Sequence, residues 1–88
     1  MHRIEEAQKR LEEVLKAVAV HGSARENKGT VALACGYQNV TESVKDVVRD
    51  KWRDLFVNTF HQPVPHLEIL DSGHSLILTK GAPAVVPR

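Results

Sequence analysis

Two prolines one residue apart, Pro63 and Pro65, divide this chain into parts with different hydrophobic periods. Neither donates a backbone N–H and each holds its predecessor extended, so a helix has to end within His61, Gln62, Pro63, Val64 and Pro65. Before that break, apolar residues recur at intervals of three and four; after it they alternate. The pattern predicts a mainly α domain with a C-terminal β-hairpin, an α+β fold. The chain has 88 residues, 42% of them hydrophobic, which suits one small core and excludes a multidomain enzyme. That core is assigned to residues 1–80, and residues 81–88, GAPAVVPR, to an extended tail that is loose unless a partner covers Val85 and Val86.

In residues 3–20, Ile4, Ala7, Leu11, Val14, Leu15 and Val18 form an apolar stripe, and the charged residues take the other face. This is an amphipathic helix, with Gly22 placed to supply the left-handed residue that stops it. Ser23 and Glu26 then have the spacing of a capping box, which predicts a second helix over 24–35 with Gly29 as its weak point. The run Thr30 to Cys35 also fits a short buried strand, and that alternative would remove the helical motif described below. Asn39 or Thr41 can cap a third, longer helix, with Val44, Val47, Val48, Trp52, Leu55 and Phe56 on its apolar side, running to about Asn58.

The segment His66 to Thr79 reads as the hairpin. With Ser72 and Gly73 at its tip, Leu70 would face Ser75, Ile69 would face Leu76 and Leu67 would face Leu78. Leu70 and Ile77 then fall on the opposite face. The hairpin's outer edge has no cover visible in the sequence, and together with the small core this predicts a homodimer.

Twelve Lys and Arg against eleven Asp and Glu leave a net charge of +1, too little to mark a general polyanion binder. The first residues, MHRIEEAQKRLEE, are charged where a signal peptide needs an apolar core, and no run approaches the ~18 to 20 apolar residues of a membrane span. A cytoplasmic protein with no membrane contact is expected. Cys35, the only cysteine, has Ala34 and Gly36 beside it and reads as a small buried side chain. His61, His66 and His74 near Asp71 lack the spacings of metal motifs, so no metal and no cofactor is expected. No Ser/His/Asp order, phosphate-binding glycine loop or carboxylate pair marks a catalytic site, and the chain is not expected to be an enzyme. Trp52 is sized for the core.

The most informative stretch is Val31, Ala32, Leu33, Ala34, Cys35, Gly36, Tyr37. A helix-turn-helix needs a small residue where its helices meet, a left-handed glycine four positions later and an apolar residue after that; Ala32, Gly36 and Tyr37 hold those places. Over residues 24–53 the sequence resembles the second helix-turn-helix of AraC-type regulators, with ALACGY for that family's ALACGF and with Val44, Val47 and Val48 at its buried positions. The second half of an AraC-type domain and its Gly-x-x-Pro ending are absent. The resemblance implies a motif set in another small scaffold: a helix, a helix-turn-helix and then a wing-like hairpin, as in winged-helix-like regulators and small phage, plasmid or bacterial repressors.

That resemblance makes double-stranded DNA the expected partner, bound through the helix that starts near Thr41 in sequence-specific repression by operator occupancy. Gln38, Asn39, Thr41 and Glu42 are then candidates to read base edges. Lys45, Arg49 and Arg53, with Arg25 and Lys28 from the preceding segment, would hold phosphates. Glu42, Asp46, Asp50 and Asp54 cancel the charge of the same helix and fit simple i, i+4 ion pairing almost as well. The alternative is a protein-binding module, such as an inhibitor from a phage or mobile element, that docks on a host protein through the first helix or the hairpin edge without touching DNA.

Overall fold

The computed structural model describes residues 2–81 of the chain. Its elements are α1 (His2–His21), β1 (Ser23–Asn27), α2 (Lys28–Ala34), α3 (Glu42–Asp54) with a π-helical extension (Leu55–Phe60), β2 (Leu67–Ser72) and β3 (Ser75–Lys80). The three antiparallel strands form one sheet in the order β1-β3-β2. This is an α+β fold with the hairpin at its C-terminal end. The tail with Val85 and Val86 lies outside the described residues. No helix among the described residues is long and apolar enough to cross a membrane.

The stripe on α1 buries Ala7, Leu11, Val14, Leu15 and Val18, whereas Ile4 stays 42% exposed. Gly22, at φ +99°, ends the helix, and its N–H donates to Val18 O at 2.8 Å. Lys80 then ties the last strand to this helix end. Its ammonium donates to Ala19 O at 2.9 Å, where the unpaired carbonyls of a helix C-terminus attract a cation.

Residues 23–27 correct the expected second helix. They are a strand, paired from Ser23↔Thr79 to Asn27↔Ser75, and there is no capping box: α2 starts at Lys28 and is capped by Asn27, whose Oδ1 accepts from Gly29 N at 2.7 Å and Thr30 N at 3.3 Å. The Ser23/Glu26 spacing is a local signal, and the ladder that overrides it comes from a strand some fifty residues on. Glu26 instead meets Arg10 of α1. The alternative strand over Thr30 to Cys35 is overturned too, because Lys28–Ala34 is helical and buries Val31, Ala32 and Ala34.

The turn after α2 follows the glycine as expected. Gly36 has φ +84°, Tyr37 N donates to Ala32 O at 2.8 Å and Gly36 N to Leu33 O at 3.0 Å, the paired bonds of a Schellman motif. Tyr37, the residue after that glycine, is 42% exposed. Val40 packs on the core.

On α3, Val44, Val48 and Trp52 are buried. The helical path continues past the expected end near Asn58 to Phe60, in a wider π coil that keeps Leu55 and Phe56 buried. Trp52, Phe56 and Phe60 pack in sequence, the first pair tilted and the second edge-to-face, with ring centroids 4.6 and 5.1 Å apart. The Trp52 indole N–H donates to Pro65 O at 2.7 Å, fastening the proline linker to α3 and so fixing where the hairpin begins.

The hairpin register is corrected by two residues. Ser72 pairs with Ser75, Leu70 with Ile77, Ile69 with Leu78 and Leu67 with Lys80, so the tip is Gly73–His74. Gly73, at φ +62° in the first loop position, permits a two-residue turn of the II′ kind. A slip of two preserves the face each side chain takes: Leu67, Leu76 and Leu78 are buried and Ile69 packs on the core, while Leu70 on the other face is 52% exposed. Of the hairpin's two edges, β1 covers that of β3 and leaves that of β2, so the edges of the sheet are β1 and β2.

Candidate nucleic-acid interface

The residues expected to meet DNA come from four pieces of chain. Gln38 and Asn39 are exposed in the turn before α3. Thr41 is the N-cap of α3, with its hydroxyl accepting from Val44 N at 3.4 Å, so that oxygen already serves the helix. Glu42 opens α3. Lys45, Arg49 and Arg53 follow at intervals of four, which at 100° per residue turn gradually around the helix rather than along one line. Arg49 and Arg53 are exposed, and Lys45 is half-buried on the flank toward the hairpin.

None of these three cations is without a carboxylate partner. Arg49 lies 3.6 Å from Asp46, Arg53 3.0 Å from Asp50, and Lys45 3.7 Å from Glu42 and 3.3 Å from Asp71. The Arg pairs span one helical turn in open solvent, where such pairs contribute at most about 1 kcal/mol and rearrange readily. Along its exposed side α3 carries Glu42, Asp46, Asp50 and Asp54 against Arg49 and Arg53. Lys51 sits on the other flank, lining a cleft with Glu5, Lys9 and Glu12 of α1.

The hairpin end stands beside the first turns of α2 and α3. Lys28 N donates to His74 O at 2.9 Å, and Lys28 Nζ lies 3.4 Å from Asp71 Oδ1 while Lys45 Nζ approaches Oδ2. Asp71 was invisible as a site residue in the sequence, because nothing local connects it to lysines on two other elements. The hydrogen bond from Lys45 holds its carboxyl below the ordinary aspartate range against the opposing effect of desolvation, and Lys28 adds a smaller lowering. Arg25 is placed elsewhere: it alternates with the inward Ala24 and Glu26 and sits opposite Ile77, on the sheet face turned away from the helices.

Cys35 is half-buried, its thiol 3.9 Å from Val44 O at the start of α3, and burial pushes its pKa up. Such a thiol is a poor nucleophile at neutral pH. His61, His66 and His74 are exposed, and among the described residues no group of three or more His, Cys, Asp or Glu could hold a metal ion. Comparisons with protein-family models, with curated proteins and with solved structures found no match to this chain.

Proposed function

We propose that this chain is a small sequence-specific DNA-binding regulator of the winged-helix-like kind, acting in the cytoplasm as a homodimer by occupying an operator. The observation that carries the reading is the order α1-β1-α2-α3-β2-β3 on a sheet of order β1-β3-β2. That arrangement supports α3 from behind and sets the hairpin beside its first turns, so that helix and wing can address adjacent grooves of a duplex. Asn39 is the clearest candidate for base reading, being exposed and free of the capping duty of Thr41. Lys28, Lys45, Arg49 and Arg53 supply the phosphate contacts. Four such contacts correspond to a salt slope of about 3 to 4 per copy, and two copies double it.

Fluorescence anisotropy against duplex pools at low salt tests this. Replacing Lys45, Arg49 and Arg53 should weaken binding to all duplexes alike and flatten the salt dependence. Asn39→Ala should cost about 1 to 3 kcal/mol on the preferred sequence alone. A second reading, docking on a basic protein surface, is favoured by the excess of carboxylates on the outer side of α3. Absence of any duplex binding at tens of micromolar, with the fold intact, selects that reading.

A further inference from the structure

The Asp71 carboxylate places one oxygen against each of two lysines from different elements, Lys28 in the first turn of α2 and Lys45 on α3, at 3.4 and 3.3 Å. A carboxylate in that position carries one negative charge shared over two oxygens, as does a phosphodiester with its two non-bridging oxygens. The lysines are the more enclosed members: the Lys45 side chain is 17% exposed and that of Lys28 32%, whereas Asp71 is 50% exposed. The cations are thus held by the body of the domain, and the anion reaches them as the more exposed side chain, from the end of the hairpin. Glu42 is the other carboxylate near Lys45, at 3.7 Å, and its side chain is 82% exposed.

We infer that Asp71 occupies, in the free protein, the place of a nucleic-acid phosphate between Lys28 and Lys45, so that the wing carries an internal competitor that a duplex must displace. The inference rests on the DNA-binding reading above and adds a regulation of that site. It accounts for how a site with few cations can favour its proper target. Every duplex has to displace Asp71 to bring a phosphate to Lys28 and Lys45, and one that also engages Asn39 and the wing tip offsets that cost where one offering only backbone does not. The wing need not come loose, since the Lys28 N–His74 O bond and the β1–β3 ladder hold it when the Asp71 side chain rotates away.

The experiment is a double-mutant cycle read by duplex anisotropy, on full-length protein, with thermal melts of every variant. Asp71→Asn keeps the size of the side chain and removes its charge. It should tighten binding to non-specific duplex about three- to tenfold at low salt and steepen the salt slope by about 1 to 2, one unit per lysine newly given to a phosphate. In a Lys28→Met/Lys45→Met background the same change should give no gain. Glu68→Gln, on the same strand but paired with neither lysine, should give little. Asp71→Ser serves as a second variant should Asp71→Asn melt early.

Equal affinity of wild type and Asp71→Asn, or a gain that persists without the lysines, overturns the competitor and leaves the DNA reading standing. Binding by neither form overturns both. Binding by Asp71→Asn alone supports both. Inorganic phosphate added at constant ionic strength distinguishes the source of the anion: selective loss of the Asp71→Asn gain at millimolar phosphate would assign the lysine pair to free phosphate and overturn the inference.

Discussion

Trp52→Phe tests the packing on which the placement of the wing depends. The Trp52 side chain is 2% exposed, packs on Phe56 and donates its indole N–H to Pro65 O at 2.7 Å. Phenylalanine keeps the ring contact and loses two things. The hydrogen bond contributes about 0.5 to 1.5 kcal/mol net. The smaller ring gives up roughly 40 Å² of buried surface, about 1 kcal/mol at 25 cal/mol/Å², and the space left adds up to about 1 kcal/mol if the neighbours do not close on it. The expected loss is about 2 to 3 kcal/mol, a fall in Tm of about 10 to 20 °C for a domain of this size. Far-UV circular dichroism in urea and heat is the assay, because the variant has no tryptophan to report. A loss below about 1 kcal/mol would mean that the indole does not hold the proline linker, and the argument for a wing fixed relative to α3 would fail.

Asn27→Ala should destabilise the domain by about 1 kcal/mol, and as much as 2, by stripping the cap from seven-residue α2; Ser23→Ala, which would remove the expected but unobserved cap, should stay within about 0.5 kcal/mol in the same urea titration. Gly36→Ala should cost about 1 to 2 kcal/mol through its φ of +84° alone, since nothing lies within 4 Å of an added Cβ, and Gly36→Asn should cost less. By NMR titration, Asp71 should lose its proton below the ordinary aspartate value of 3.8, and Lys45→Met should move the midpoint back up. The sign follows from that depression: the ion pairs favour the folded state above the ordinary value, and their contribution disappears as pH falls through the lower folded one. Sedimentation should show a dimer at micromolar concentration, and Leu70→Lys should yield a 9.8 kDa monomer if the exposed sheet face makes the contact; a wild-type monomer would refute the homodimer.

What the sequence determined by itself is the hydrophobic period within one turn or one pleat and the left-handed stops beside it. The three- and four-residue spacing of Leu11, Val14, Leu15 and Val18 is enough to define α1, since a helix presents those positions on one side whatever lies opposite. Gly22 and Gly36 announce left-handed stops for the same local reason, and the alternation through Leu76 and Leu78 assigns the inner face of β3 whether or not the pairing slips by two. Tertiary structure decided the rest. Ser23 to Asn27 has no strand pattern of its own, yet the free edge of β3 offered five backbone partners, and satisfying them outweighed a local cap. The hairpin register is an exception, a local choice: Gly73 takes φ +62° at the first loop position, which turn chemistry identifies and hydrophobic alternation does not. The candidate site divides along the same line. Lys45, Arg49 and Arg53 are legible because they share a helix. Asp71 is not, because its meeting with Lys28 and Lys45 depends on the sheet carrying the hairpin end back to the first turns of two helices.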